Sequence, residues 1–586
     1  MVPGILLCGD LDFRYLLMGV IRYTVRSSNK FQLYLALLAP LIIFLYFYDY
    51  GILIPWNINW LMGGDLGTNF IGWHAFRYDE WRFPITKTEL LAWPHGVPII
   101  FTDSNPLFAI ILKLFSAILP RVFQYIGLWY LICLILQSTL GYFIGYKITG
   151  STNYGLLFAI FLCLYPPLLT RWGHAQLMGH WVILCSIYIF LFIQDSRRVF
   201  FLSVTITILS IAIHLYLTAM ILPILLASYW FVLKCLGLEK FKKFSIYVFS
   251  IFFISLFELY LLGYFTYGDI GGGGFGDYSM NLNAPFNSRW QSTFLPGLPW
   301  AEFQYEGYQY VGLGGIFLIL LGLCGYIFFI RKNRCLISNK IAAIIIICAL
   351  FSIFALSNKI MLGSELIFKY DLPIGIDLLA NAFRSSGRFF WPVSYLLFVF
   401  SVYYIWNSFP RLAIGLLFSV CVVQLIDIAP LGNAIGKPIT LDRSNVILRE
   451  ALEPFISDAD AVFIDGTQTD LQVASYESSY MGSPLGLPLI SIYSSRAPKE
   501  HYLWETNLKQ SLMKGDTSLK NVMGIFPAGW HVCFPQRSFY VMEDWSILLP
   551  ENTVSKMTDK QIFNLVQDQP VKPLGVIIDS CKSDCV

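Results

Sequence analysis

The chain has 586 residues, of which 56% are hydrophobic, 17% aromatic and only 13% charged, with a mean hydropathy of +0.62. That balance lies outside the range of a soluble globular domain and reads as a polytopic membrane protein. The net charge of +3 is small and spread along the chain, without basic runs interleaved with aromatics, which excludes a nucleic-acid surface.

The N-terminal 1–31 mixes apolar residues with Arg14, Arg22, Arg26 and Lys30 and has no apolar core followed by a small-residue cleavage site, so it reads as an uncleaved cytoplasmic lead-in. A helix crossing a hydrocarbon layer of about 30 Å needs roughly twenty apolar residues. Eleven such spans are expected, at 32–52, 122–146, 153–170, 179–194, 198–214, 216–234, 245–265, 311–330, 339–357, 389–407 and 411–429. Starting from a cytoplasmic N-terminus, the inner loops hold Lys147, Arg197, Arg198, Lys234, Lys240, Lys242, Lys243, Arg331, Lys332, Arg334 and Lys340, as the positive-inside rule requires. The opposite loops 53–121, 266–310 and 358–388 are long and rich in Gly, Asn, Tyr, Trp and acids. The apolar stretch 107–119 is too short to span, carries Lys113 and is placed as an interfacial helix in the first outer loop. No internal repeat of the kind seen in many secondary transporters is visible.

After Asp427 the composition changes. Strand-like runs at 461–464, 489–493 and 575–578 alternate with helical stretches near 443–456 and 559–567, which predicts an α/β domain over 430–586 on the outer side. Six of the twelve cysteines (Cys133, Cys163, Cys185, Cys324, Cys348 and Cys421) lie in apolar spans and act as small hydrophobes. Cys533, Cys581 and Cys585 lie in the polar C-terminal region, where any two of them can form one disulfide in an oxidising compartment; no zinc-type spacing is present.

Chemistry concentrates in the outer loops. Asp65 follows the first span, flanked by Gly63, Gly64 and Gly67, and a carboxylate there can deprotonate an acceptor hydroxyl; the bland alternative is a solvated turn aspartate. Asp79 and Glu80 form an adjacent acidic pair, the second candidate. Asp103 in Phe101-Thr102-Asp103-Ser104 reads as the cap of the helix that follows. Arg384 and Arg388, four apart where the third outer loop enters a span, share one helical face and present forks suited to phosphate oxygens, against the alternative of snorkelling anchors. Arg171, His174 and His180 in the second outer turn read as further phosphate or acceptor contacts, against the alternative of plain interfacial residues. In the loop 266–310 the run Gly271 to Gly274 lacks a following Gly-Lys-Ser/Thr and reads as a flexible lid. Tyr278, Asn281, Trp290 and Glu306 in the same loop, with Trp73, His74 and Arg77 in the first, suit sugar hydroxyls and ring faces. His214 and Glu258 lie in or near spans and are left without a role.

Gly64-Asp65, Ile71-Gly72-Trp73 to Arg77, Phe101 to Ser104, Tyr278-Ser279-Met280-Asn281, Glu306-Gly307 and Arg384-Ser385-Ser386-Gly387-Arg388-Phe389-Phe390-Trp391-Pro392 together resemble the GT-C superfamily of integral membrane glycosyltransferases, and within it an uncharacterised bacterial family. The resemblance spreads over residues 60–395. It implies a polyprenyl-phosphate or diphosphate sugar donor, an envelope glycan, lipid or protein acceptor, commonly inversion, and an acid of the first outer loop as general base: Asp65, with Asp79 or Glu80 as the alternative in the paired-acid form of the motif. It further implies a bacterial inner membrane location with membrane lipids as neighbours. Asp65 standing alone departs from the paired form and leaves a divalent cation, Mg or Mn, open as a cofactor. Two other classes compete: a lipid-linked glycan flippase, whose spans should be lined with charge, and a non-catalytic envelope polysaccharide assembly protein that binds glycan through its C-terminal domain. Span interiors nearly free of charge, with polarity gathered outside, favour the transferase.

Overall fold

The computed structural model describes residues 30–556 except 235, 268–272, 333–337, 374, 436–442, 466–467, 493–498, 515–518, 531–533, 535–537 and 542–544. The N-terminal lead-in up to residue 29, Gly271 and Gly272 of the glycine run, Arg334, Tyr493, Cys533, Cys581, Cys585 and the predicted elements at 559–567 and 575–578 lie outside the described residues.

Among the described residues nine helices are long and apolar enough to cross a membrane, ten if a bent pair counts as one span, and the helix over Phe31–Phe47 is shorter. The protein is thus a mostly helical, multi-span membrane protein. The helices that concern the site are α1 (Lys30–Phe47), α2 (Gly64–Tyr78), α3 (Pro106–Lys113), α4 (Ile126–Thr149), α5 (Thr152–Cys163), α6 (Trp181–Phe192), α7 (Ser196–Ile213), α8 (Leu215–Val232), α9 (Gly237–Leu262), α10 (Leu313–Lys332), α11 (Asn339–Leu356), α12 (Trp391–Ser408) and α13 (Ala413–Asp427). Each of the eleven expected spans coincides with a helix or helix pair, with three differences of shape. First, α1 ends at Phe47, where Asp49 accepts from the Gly51 N–H at 2.6 Å and starts a tight turn. Second, the span expected at 153–170 is broken: α5 and the segment Pro166–Gly173 meet at 50°, because Pro166 and Pro167 supply no N–H to continue the ladder. Third, the chain is extended at His214, between α7 and α8.

The first long loop is more structured than its glycines imply. Residues 64–78 form α2, whose Phe70, Ile71, Trp73, Ala75 and Phe76 are all buried. The predicted interfacial helix is only the eight residues of α3, and Lys113 turns inward, donating to the Glu80 carbonyl at 3.0 Å and lying over Phe76 and Trp81. Strands β1 (Lys87–Thr88) and β2 (Val97–Pro98) close a small hairpin between them, and β3 (Lys359–Leu362) with β4 (Glu365–Lys369) form a second after α11.

The C-terminal region carries the helices α14 (Arg443–Leu452), α15 (Gln468–Gly482) and α16 (Lys499–Lys514) around a four-stranded mixed sheet of β5 (Ala461–Ile464), β6 (Val522–Pro527), β7 (Phe539–Val541) and β8 (Trp545–Leu548) in the order β5-β6-β8-β7, with only β5 and β6 parallel. It rests on the first loop: Tyr476 of α15 donates to the Gly64 carbonyl at 2.6 Å, Leu489 bridges Leu91, and Ala75, Leu90 and Leu91 share a hydrophobic core with Leu448, Leu452 and Ile525. The loop between α9 and α10 is pinned to the last span by Asp427, which accepts from the Tyr310 hydroxyl at 2.6 Å, the Leu313 N–H at 2.8 Å and the Ser292 hydroxyl.

Candidate active site

The three long loops converge on Glu306. Its carboxylate accepts from Arg171 at 2.5 Å and from Arg388 at 2.9 Å (Nη2) and 3.1 Å (Nε), and its second oxygen lies 3.0 Å from His174 Nε2. The same His174 nitrogen is 3.5 Å from an Asp65 oxygen. Asp65 is therefore joined to Arg388 through His174 and Glu306. Only Asp65 opens widely to solvent, its side chain 45% exposed, whereas Glu306, Arg171 and Arg388 are buried. Asp65 occupies the first turn of α2, where the aligned peptide dipoles favour a carboxylate.

Asp103 faces the same group. It keeps some surface open yet is surrounded by protein, and burial pushes its pKa above the ordinary aspartate range, with the charges of His174 and Arg388 opposing and those of Asp65 and Glu306 adding. The expected cap role falls instead to Asn105, whose side chain accepts from the Phe108 N–H; Asp103 stands in a left-handed turn at φ 54°. Gly72 makes this possible, since a Cβ there would lie 1.9 Å from Thr102 Oγ1 and 2.4 Å from Ser104 Oγ. The turn carrying Asp103 can lie flat on α2 only because that side chain is missing.

Buried charge sets the protonation of the cluster. Burial alone would raise the Glu306 pKa, but Arg388, Arg171 and His174 hold it well below the ordinary value of 4.5. Burial alone would lower the His174 pKa, but its hydrogen bond to Glu306 and that carboxylate's charge outweigh burial and hold it above 6.5. The two shifts give opposite pH dependences. The stability that Glu306 contributes is complete above 4.5 and is lost as the pH falls through its lowered native value; that of His174 is complete below 6.5 and is lost as the pH rises through its raised one. Thermal melts should show both declines in the native protein, and His174→Gln should abolish the decline on raising the pH while keeping most of the decline on lowering it, which Arg388 and Arg171 also supply. Identical declines on raising the pH in the two proteins would contradict the assignment.

The turn that holds Glu306 is itself tightly fitted. Asn281 donates to Gln304 Oε1 at 2.8 Å, Gln304 donates to Ser279 Oγ at 3.0 Å, and Arg289 donates to the carbonyls of Gln304 and Tyr305. A Cβ on Gly307 would lie 1.9 Å from the Ser279 carbonyl oxygen, and one on Gly387 2.7 Å from Gly307 Cα. Gly307→Ala is expected to force these backbones apart and cost about 1–3 kcal/mol or more, read as a lowered melting temperature. Gly63→Ala, with nothing within 4 Å of its Cβ, is the control that should not move it.

Several expected site residues stand elsewhere. Arg384 and Arg388 do not share a helical face: the short helix Ile376–Ala382 ends before them, Arg384 is exposed over the Tyr278 ring at 5.2 Å, and only Arg388 reaches Glu306. Asp79 is a structural clasp, accepting from Arg82, Thr88 and the Glu89 N–H, with its pKa lowered because these bonds outweigh burial. Glu80 is exposed beside it, outside the cluster. Trp73 donates to the Phe123 carbonyl, Arg77 to that of Pro120, and His74 is stacked between Phe70 and Tyr480, its pKa lowered to about 3 by burial. All three are buried and hold α2 in place rather than face a substrate. Asn281 is likewise a buried clamp, and Trp290 is 76% exposed. Tyr278 stands edge-on to Tyr305 under Arg384. His180 packs on Trp391 and bonds the Tyr395 hydroxyl, behind the cluster.

Tyr216 was not a sequence candidate, yet Arg388 lies over its ring at 4.8 Å and its hydroxyl accepts from the Ser385 N–H. The signal for it was the neighbouring His214, left without a role, which lies within electrostatic reach of Arg388, His174 and Glu306. Glu258 lies on α9 outside this cluster, in an apolar groove. Among the described residues no three His, Cys, Asp or Glu side chains are grouped to hold a metal ion.

No curated protein matches the chain. Among solved structures it is similar to ArnT from Cupriavidus metallidurans in the apo state, at 12% identity and a TM-score of 0.44, with 89% of this chain and 98% of that chain covered. The family described as "Domain of unknown function (DUF6311)" matches residues 37–429, more than half of the chain. The chain belongs to that family.

Proposed function

We propose that the protein is a GT-C-type glycosyltransferase of a bacterial inner membrane that moves a sugar from a polyprenyl-phosphate carrier to an envelope glycan, lipid or protein on the extracytoplasmic face, with the N-terminus cytoplasmic and the C-terminal α/β region outside. The observation that carries the reading is the joining of two buried guanidiniums to an open carboxylate through Glu306 and His174. Two buried guanidiniums share the one carboxylate of Glu306, and Arg171 Nε is buried without a hydrogen-bond partner. That unspent donor suits a phosphate oxygen.

In this reading Asp65 accepts the proton of the acceptor hydroxyl as its oxygen attacks the anomeric carbon. The bond from that carbon to the phosphate oxygen breaks, and its electron pair leaves with the phosphate, whose charge Arg388 and Arg171 stabilise and Arg384 meets from outside. Asp103, with its raised pKa, is the second carboxylate positioned to take the proton. No step is assigned to a cation.

The test is direct. Purified protein in nanodiscs, given the polyprenyl-phosphate sugar fraction and the envelope acceptor fraction of its source membranes, should release free polyprenyl phosphate, measured by mass spectrometry, only when both are present. Binding of either fraction without release would replace transfer by a carrier or assembly role.

A further inference from the structure

The hairpin β3–β4 presents an apolar surface that no part of the described chain covers. Leu362, Leu366, Ile367 and Phe368 are between 49% and 57% exposed, and every residue of β4 is exposed. Ile360 pairs with Phe368 and Met361 with Leu366, so Ile367 is the extra residue of a bulge and three apolar side chains follow one another on an edge strand. In water such a strand is an aggregation site.

Its position supplies the occupant. Only Ser357 and Asn358 separate Leu356, the last residue of α11, from Lys359, so the hairpin starts within about 10 Å of the end of a membrane-spanning helix. The apolar side chains Ile346, Leu350 and Ile353 of α11 are also exposed, at 59–60%, so bare apolar side chains stand on both the helix and the hairpin that follows it after two residues. At its base Lys359 pairs across the register with Lys369, and Lys359 also binds Asp277 at 2.6 Å. Cations flanking an apolar edge match the level of phospholipid headgroups above acyl chains.

We infer that β3–β4 is an interfacial membrane anchor whose partner is the phospholipid bilayer, with Leu366, Ile367 and Phe368 in the acyl boundary and the lysine base at the phosphates. The anchor is mechanically tied to the Glu306 turn. Gly363 at its tip donates to Asn281 Oδ1 at 3.0 Å and accepts from Asn281 Nδ2 at 2.8 Å, and that same Nδ2 holds Gln304, two residues before Glu306. A hairpin seated in lipid does not require transferase chemistry, so its test is independent of the proposed reaction.

The experiment places the photo-crosslinking residue p-benzoylphenylalanine singly at Ile367 and at Phe368 in the full chain, in nanodiscs of phosphatidylethanolamine and phosphatidylglycerol. Ile353 on α11 is the lipid-facing control and exposed Asn552 of the C-terminal region the aqueous control. Irradiation should give phospholipid adducts at 367 and 368 as strongly as at 353, and none at 552. Absence of lipid adducts at both hairpin positions, as at 552, would overturn the inference, as would adducts to a second copy of the chain in their place.

Discussion

Glu306→Gln is expected to damage both fold and activity, because one neutral amide then faces Arg171 and Arg388, both buried, and His174. Breaking a buried ion pair by removing one partner leaves charge uncompensated and costs about 3–5 kcal/mol. The guanidiniums should spread from each other or draw in water, and the turn at 302–307 should loosen. A large fall in melting temperature with loss of transfer is the expected outcome. Glu306→Asp, which restores the charge on a shorter arm, should recover more stability than activity, since it neutralises the arginines without holding them at the same distance. A Glu306→Gln protein as stable as the native one would mean that the cluster is not the electrostatic centre of this end of the bundle.

Asp65→Asn is the opposite kind of change. The side chain is 45% exposed and, among the described residues, its ion-pair contact is the 3.5 Å approach to His174, so stability should stay within about 0.5 kcal/mol of native. Loss of a general base typically slows a reaction by about 10²–10⁴-fold, and turnover should fall in that range with little change in donor binding. Asp103→Asn separates the two carboxylates: if Asp65 takes the proton, Asp103→Asn should shift the pH profile and leave most of the turnover. If instead Asp103→Asn abolishes turnover and Asp65→Asn does not, the base is Asp103.

The membrane-spanning helices were legible because uniform apolarity over twenty residues has few other solutions in lipid. What the hydropathy could not carry was the bend at Pro166 and Pro167, a local backbone effect inside an apolar run. The strand at 461–464 was likewise visible from its apolar run. The site was legible only in part. Glycines around Asp65 read as a turn, whereas burial of Phe70, Ile71 and Trp73 makes the segment a helix. The expected sugar-facing role of Trp73, His74 and Arg77 failed because α15, about four hundred residues later, covers His74, while the segment 116–125 covers Trp73 and Arg77. Glu306 meets Arg171 at a separation of 135 residues, His174 at 132 and Arg388 at 82, and contacts between loops leave no periodic trace in sequence. Arg384 and Arg388 fit an i, i+4 rule that applies only inside a helix, and the chain there is not a continuous one.

The most direct measurement compares lipid-linked sugars and envelope glycans from cells expressing the native protein, Asp65→Asn or Asp79→Asn at equal levels. The transferase account predicts that Asp65→Asn loses one glycan modification and accumulates its polyprenyl-phosphate sugar, while Asp79→Asn, altered only in the clasp to Arg82 and Glu89, keeps both at native levels. Unchanged glycans and unchanged lipid-linked sugars in Asp65→Asn would contradict it.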